Sequence, residues 1–217
     1  MKRRTLPAAA AFAATAALLL TACGGGDEKP EADDKIAGAE QGDKKSASPS
    51  ATPSKADGRP KIELPPDDKL VFVPEKTGHA VKDAVLADNA ERMRASDAAI
   101  TGKDPKYVAL NFYNSGRALE AAAKWVEGFK TAGLTVTGTV RFHDRNVTLN
   151  KDGSASLTYC ADESKGSTKK IKTGKVDTSP PNKDSYVFYN TRLEKNSDGV
   201  WQTTRIISSR GAAQCQP

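Results

Sequence analysis

The sequence predicts an α+β domain in which N-terminal helices pack on a curved antiparallel sheet, carried behind a disordered tether. Three observations lead there. Residues 24–60 contain no Phe, Trp or Tyr, whereas residues 61–217 contain twelve. One core of 157 residues therefore follows a segment that cannot bury enough apolar surface to offset its ordering entropy. Apolar residues then recur at helical spacing as far as Gly133, and at period two from Leu134 onward. Helices grouped ahead of strands, rather than alternating with them, argue for α+β layering and not for a parallel sheet with crossover helices.

The elements follow in order. Lys61–Thr77 is a proline-bounded entry, and Leu70-Val71-Phe72-Val73 suits an extended strand or a plug on the core. Leu86, Ala90, Met93 and Ile100 lie on one helical face, giving a helix over about 80–101 with Gly102 just past its end. Asp104-Pro105 reads as N-cap and first position of a short helix through Tyr113. Ser115 opens a third helix whose expected buried face is Ala118, Ala122, Trp125 and Phe129, and Gly133 closes it. Leu134, Val136, Gly138, Val140 and Phe142 alternate with Thr135, Thr137, Thr139 and Arg141 in a half-buried strand. Val147 and Leu149 mark a second strand, Asn150–Gly153 a hairpin turn, and Ala155, Leu157 and Tyr159 a third strand. A long polar stretch, Glu163–Asp184, reads as a loop. Tyr186–Glu194, the turn Asn196–Gly199 and Val200–Ser208 complete the sheet.

Residues 1–22 read as an export segment. Lys2, Arg3 and Arg4 precede a 13-residue apolar run from Ala8 to Leu20, shorter than the roughly 20 residues a spanning helix needs. Leu20-Thr21-Ala22-Cys23 and the glycines after it resemble the lipobox of bacterial lipoproteins. That resemblance implies acylation of the Cys23 thiol, cleavage before it, and a lipid anchor on the extracytoplasmic face of the cell membrane. Arg3-Arg4 leaves twin-arginine export open beside the general secretory route. Residues 23–60 then form the flexible linker, with a typical reach of about 30–35 Å, and residues 61–217 the single domain. That domain holds 24 basic and 19 acidic residues, a mild excess that does not by itself indicate nucleic acid.

The element order, with the closing Gly199-Val200-Trp201 strand, resembles the nuclear transport factor 2-like cone, in which three helices close over a strongly bent sheet. Cys160-Ala161-Asp162-Glu163-Ser164 after a strand, with Cys215 near the end, is similar to actinomycete lipoproteins of unknown function. The cone implies isomerase or dehydratase chemistry in some members, with an acid or histidine base in the pocket and a tyrosine donor. The corresponding pocket candidates here are Asp162 as base, Tyr113 or Tyr159 as donor, and Trp125 in the lining.

The remaining residues point to chemistry sparingly. With Cys23 assigned to lipid, Cys160 and Cys215 form an even pair in an oxidising compartment. A disulfide is expected, worth roughly 4 kcal/mol on the chain-entropy model, the alternative being two free thiols. His79 and His143 are the only histidines, and no C-x-x-C, nucleophile elbow or phosphate-binding loop occurs, so no metal, cofactor or catalytic set is assigned. Six lysines in Glu163–Asp184 offer a positive surface for an anionic envelope polymer or lipid headgroups, or simply a solvated insertion. Aromatic residues are absent between Tyr159 and Tyr186, against base stacking. The expected function is a membrane-anchored, non-catalytic binding or assembly module at the cell envelope. The alternative is a small-molecule-binding or isomerase/dehydratase-like enzyme using a cone cavity.

Overall fold

A computed structural model describes residues 58–217. The expected export segment, Cys23 and nearly all of the expected linker lie outside the described residues. The elements are β1 (Asp68–Phe72), α1 (Ala80–Ile100), α2 (Val108–Tyr113), α3 (Gly116–Ala132), β2 (Leu134–Leu149), β3 (Ala155–Lys170), β4 (Tyr186–Lys195) and β5 (Trp201–Arg210). Short 3₁₀ turns occur at Lys183–Ser185 and Ala213–Cys215. The helices pack on a five-stranded mixed sheet of order β1-β2-β3-β4-β5. The chain is thus α+β, as its patterning requires. No described helix is long and apolar enough to cross a membrane.

Three boundaries differ from the sequence expectation for physical reasons. The short helix begins at Val108, because Tyr107 stands in the left-handed region at φ 57° and breaks the run from Pro105. Asp104 nevertheless caps it, its carboxylate accepting from the N–H groups of Val108 (2.8 Å) and Ala109 (2.9 Å). The two strands expected over Leu134–Leu149 are one, with register shifts between Thr139 and Arg141 and between His143 and Asn146. The polar stretch from Glu163 is not wholly loop: Lys165–Lys170 pairs with Leu134–Thr139 in the β2–β3 ladder. Its Ser, Thr and Lys side chains carry no strand pattern, and backbone hydrogen bonding holds the ribbon. The β2–β5 meander is antiparallel, while β1 adds to β2 in parallel, Asp68 opposite Gly138 and Phe72 opposite Phe142.

At Gly138 the backbone of β2 passes close against β3. The glycine φ is +95°, and a Cβ there would lie 2.3 Å from the Lys165 carbonyl oxygen. No L side chain fits without moving β3. Gly138→Ala is expected to lower stability by about 2–4 kcal/mol in urea denaturation, whereas Gly153→Ala, with open space around it, costs only its backbone strain.

The core lies between α1 and the concave sheet face. Leu86, Phe142, Leu157, Tyr159, Val187, Leu193 and Trp201 form it, with Phe72 stacked on Phe142 at 5.0 Å. Two arginines fasten its edges. Arg59 pairs with the buried Asp88, which also accepts from the Trp201 N–H at 2.8 Å. Arg145, 3% exposed, donates to the carbonyls of Pro74 (3.0 Å) and Leu86 (2.6 Å). It lies over the Phe72 ring, and burial brings its pKa down to about 10. On the other sheet face Cys160 and Cys215 form the expected disulfide, with Cα atoms 5.4 Å apart, among Ala212, Tyr186 and Phe188.

Candidate functional site

Under the helices the sheet does not close. A cavity of about 780 Å³ lies between α1, α3 and the concave face, within the size range of small-molecule sites. Ile100, Phe129, Val136, Val140 and Phe142 supply an apolar wall. Lys165–Thr168 of β3, with Asp177 and Ser179–Asn182 of the following loop, form part of the far wall. The polar stretch that reads as a solvated insertion is therefore partly cavity lining.

The polar lining converges from three strands and a helix. Asp68 comes from β1, in phase with Leu70 and Phe72, and so faces inward. It is 7% exposed, and its Oδ2 has no hydrogen-bond partner among the described residues. Asp97 comes from α1 at the helical spacing of Met93 and Ile100. Its carboxyl makes no ion pair among the described residues. Glu163 of β3 is held by Arg210 of β5 at 2.7 Å. Arg92, 5% exposed, lies one turn of α1 before Ser96 and donates from Nε to Asn114 at 2.7 Å. It too makes no ion pair among the described residues.

Burial raises the pKa of three groups at the cavity, Asp68, Asp97 and Tyr189. Asp68 is pushed up to about 6 by desolvation and by the negative charge of Asp67. Asp97 is raised well above the usual carboxylate range, first by desolvation and then by Asp68 and Glu163. The Tyr189 phenol, stacked on Tyr159 at 4.9 Å, is also raised, by burial first and then by Tyr159 and Glu163. Protonated, the two aspartic acids are hydrogen-bond donors at the wall of a cavity that also holds a fixed guanidinium. Such a wall accepts an oxygen-bearing group whose remaining body is apolar.

The sequence-derived candidates are distributed differently. Trp125 lines the cavity at its rim and is 55% exposed. The buried stripe of α3 runs through Ala118, Ala122 and Val126. Tyr113 is buried away from the cavity with Ala95, Ala109 and Val200, and its hydroxyl accepts from Arg59 at 3.3 Å. Tyr159 is in the core behind Tyr189, with its hydroxyl 3.7 Å from the Met93 sulfur. Asp162 alternates with the inward Ala161 and Glu163 and is occupied by the Ser164 N–H at 2.9 Å. His143 contacts Asp144 at 2.9 Å on the strand opposite Cys160. Those three come within 4.8 Å, but the Cys160 sulfur is committed to the disulfide, which leaves no thiolate for a metal. Asp68, Asp97 and Arg92 carry the site and were not singled out from sequence. Their signal was a charge in phase with apolar neighbours.

An α+β domain with a ligand-sized, polar-tipped cavity is thus what fold and site define. No family model matches the chain, and no curated protein matches it. Solved structures similar to it include Aln2 from a Streptomyces species, at 18% identity over 62% of this chain and 93% of that one, with a TM-score of 0.42. A ketosteroid isomerase-like protein from Erwinia carotovora atroseptica is similar at 17% identity over 58% and 93%, TM-score 0.40. The intermembrane space region of the chloroplast protein ARC6 is similar at 14% identity over 63% and 99%, TM-score 0.37. At such identities no residue of theirs is carried onto this chain.

Proposed function

We propose that the protein is an exported, lipid-anchored binding module that encloses a small amphipathic molecule in its cavity. The observation that carries the ligand is the pair of inward carboxyls, Asp68 and Asp97, neither held by a cation among the described residues. Buried polar groups are normally partnered, and a carboxyl left without one at a cavity wall suits a ligand that supplies the partner. The fitting ligand has an apolar ring or chain against Ile100, Phe129 and Val140, and a carbonyl or hydroxyl oxygen toward Asp68, Asp97 and Arg92. Export and acylation at Cys23 are supported by the lipobox residues, and the Cys160–Cys215 bond suits an oxidising compartment.

The test is a titration of the full chain with α-tetralone, naphthol and decanoate, followed by Trp125 fluorescence. Saturable quenching is expected, absent in Trp125→Phe and weakened about tenfold in Asp97→Ala, the loss of one hydrogen bond to the ligand. Absence of quenching by all three probes, or an unchanged affinity in Asp97→Ala, contradicts the proposal.

A second function has one specific observation behind it. Asp97 and Tyr189 line the same cavity, and a carboxyl with a raised pKa together with a phenol is the pairing used for proton transfer at a carbon next to a carbonyl. Asp97-dependent exchange of deuterium into α-tetralone, followed by NMR, separates an enzyme from a binding module.

A further inference from the structure

The β2–β3 ribbon ends in a tip that the cavity does not use. Lys170, the last residue of β3, is opposite Leu134, and the chain turns back through Ile171–Val176. The turn is built by backbone bonds: Gly174 N–H to the Lys170 carbonyl (2.8 Å), Lys170 N–H to the Lys175 carbonyl (2.9 Å) and Ile171 N–H to the Gly133 carbonyl (2.9 Å). Gly174 takes a φ of +69°. The tip is therefore a defined structure seated against the end of α3. Its side chains run Lys170-Ile171-Lys172-Thr173-Gly174-Lys175-Val176. Ile171 is 60% and Val176 38% exposed. Lys170, Lys172 and Lys175 form no ion pair among the described residues, and no acid occurs from Ser164 to Val176.

We infer that this tip docks on the surface of an anionic lipid bilayer, the lysines at the headgroups and Ile171 between them. Charge complementarity selects an anionic partner, since cations next to an acidic lipid surface are attracted within about a Debye length. The apolar residue at the centre of the lysines then decides between kinds of anion. A soluble polyanion has nothing to cover Ile171, whereas a bilayer receives an apolar side chain below its headgroups. The tip lacks the aromatic residues on which nucleic-acid bases stack. This inference does not depend on the cavity or its ligand.

The experiment uses the mature chain, residues 23–217, carrying Cys23→Ser, so that neither the export segment nor an acyl chain contributes to binding. Co-sedimentation is measured with vesicles of phosphatidylcholine alone, and with vesicles of equal parts phosphatidylcholine and phosphatidylglycerol. Binding is expected only to the latter and to fall with added salt. Lys172→Ala with Lys175→Ala should weaken it about 30-fold. Ile171→Ser should weaken vesicle binding while leaving retention on heparin unchanged. Equal binding to both vesicle types, or no binding to either, overturns the inference. So does an unchanged vesicle affinity in Ile171→Ser, which would assign the tip to a soluble polyanion. All substituted side chains of the tip are exposed, and an unchanged urea midpoint confirms that each variant is folded.

Discussion

Replacing Asp88 with alanine is expected to lower stability by about 3 kcal/mol. Asp88 is 2% exposed and holds two things at once. Its carboxylate pairs with Arg59, raising that guanidinium further above its ordinary value, chiefly through their hydrogen bond. It also accepts the backbone N–H of Trp201 at 2.8 Å. Alanine leaves the Trp201 N–H buried without an acceptor, at the point where β5 starts. Arg59 is 29% exposed in its side chain and can turn to water, so the cost falls below that of stranding a fully buried cation. Arg59→Ala should be comparably damaging, because Asp88 would then keep a buried charge with one hydrogen bond. Chemical denaturation followed by far-UV circular dichroism reads both. A loss below about 1 kcal/mol for Asp88→Ala would put it in the range of exposed pairs and contradict its role as a clamp.

Asp68→Asn should do the opposite, stabilising the fold at pH 7.5 by about 1–3 kcal/mol. The sign follows from the raised pKa. The folded carboxyl keeps its proton up to about 6, whereas the unfolded one releases it near 4. Between those values the folded state binds more protons, so stability falls as pH rises from about 4 to about 6 and stays lower above it. Asparagine does not titrate, so its advantage should grow over that window, persist above it and vanish below about pH 4. The same variant should bind the cavity ligand more weakly. A carboxyl kept at a stability cost with no protein partner fits a site maintained for binding. A pH-independent difference between Asp68→Asn and the parent would contradict this account of Asp68.

How much the sequence discloses follows from which interactions are local. The grouping of helices before strands, the helix end at Gly133 and the turn Asn150–Gly153 rest on short-range patterns, and they are found where the patterns place them. The helical stripe Leu86, Ala90, Met93 and Ile100 has a gap one turn before Ile100. Asp97 occupies it, a charged residue on the buried face and the clearest available pointer to the site. Asp68 breaks the inward row of Leu70 and Phe72 in the same way. The strand character of Lys165–Lys170 was hidden because its own side chains are polar, so only the ladder with β2 defines it. Asp162 drew attention through its neighbouring cysteine, yet strand alternation turns it away from the cavity and brings Glu163 inward. Trp125 belongs to the rim because the buried α3 stripe passes through Val126.

The most direct test of the central claim, that two aspartic acids at a ligand cavity keep their protons to higher pH than carboxyls in water, is a carboxyl carbon-13 NMR titration of the full chain. Asp68 is expected to titrate near pH 6 and Asp97 well above the ordinary carboxylate range, both shifting when a cavity ligand is added. Titration of both near pH 4, as for carboxyls in water, would show the cavity to be open and solvated. That result would contradict the proposed site.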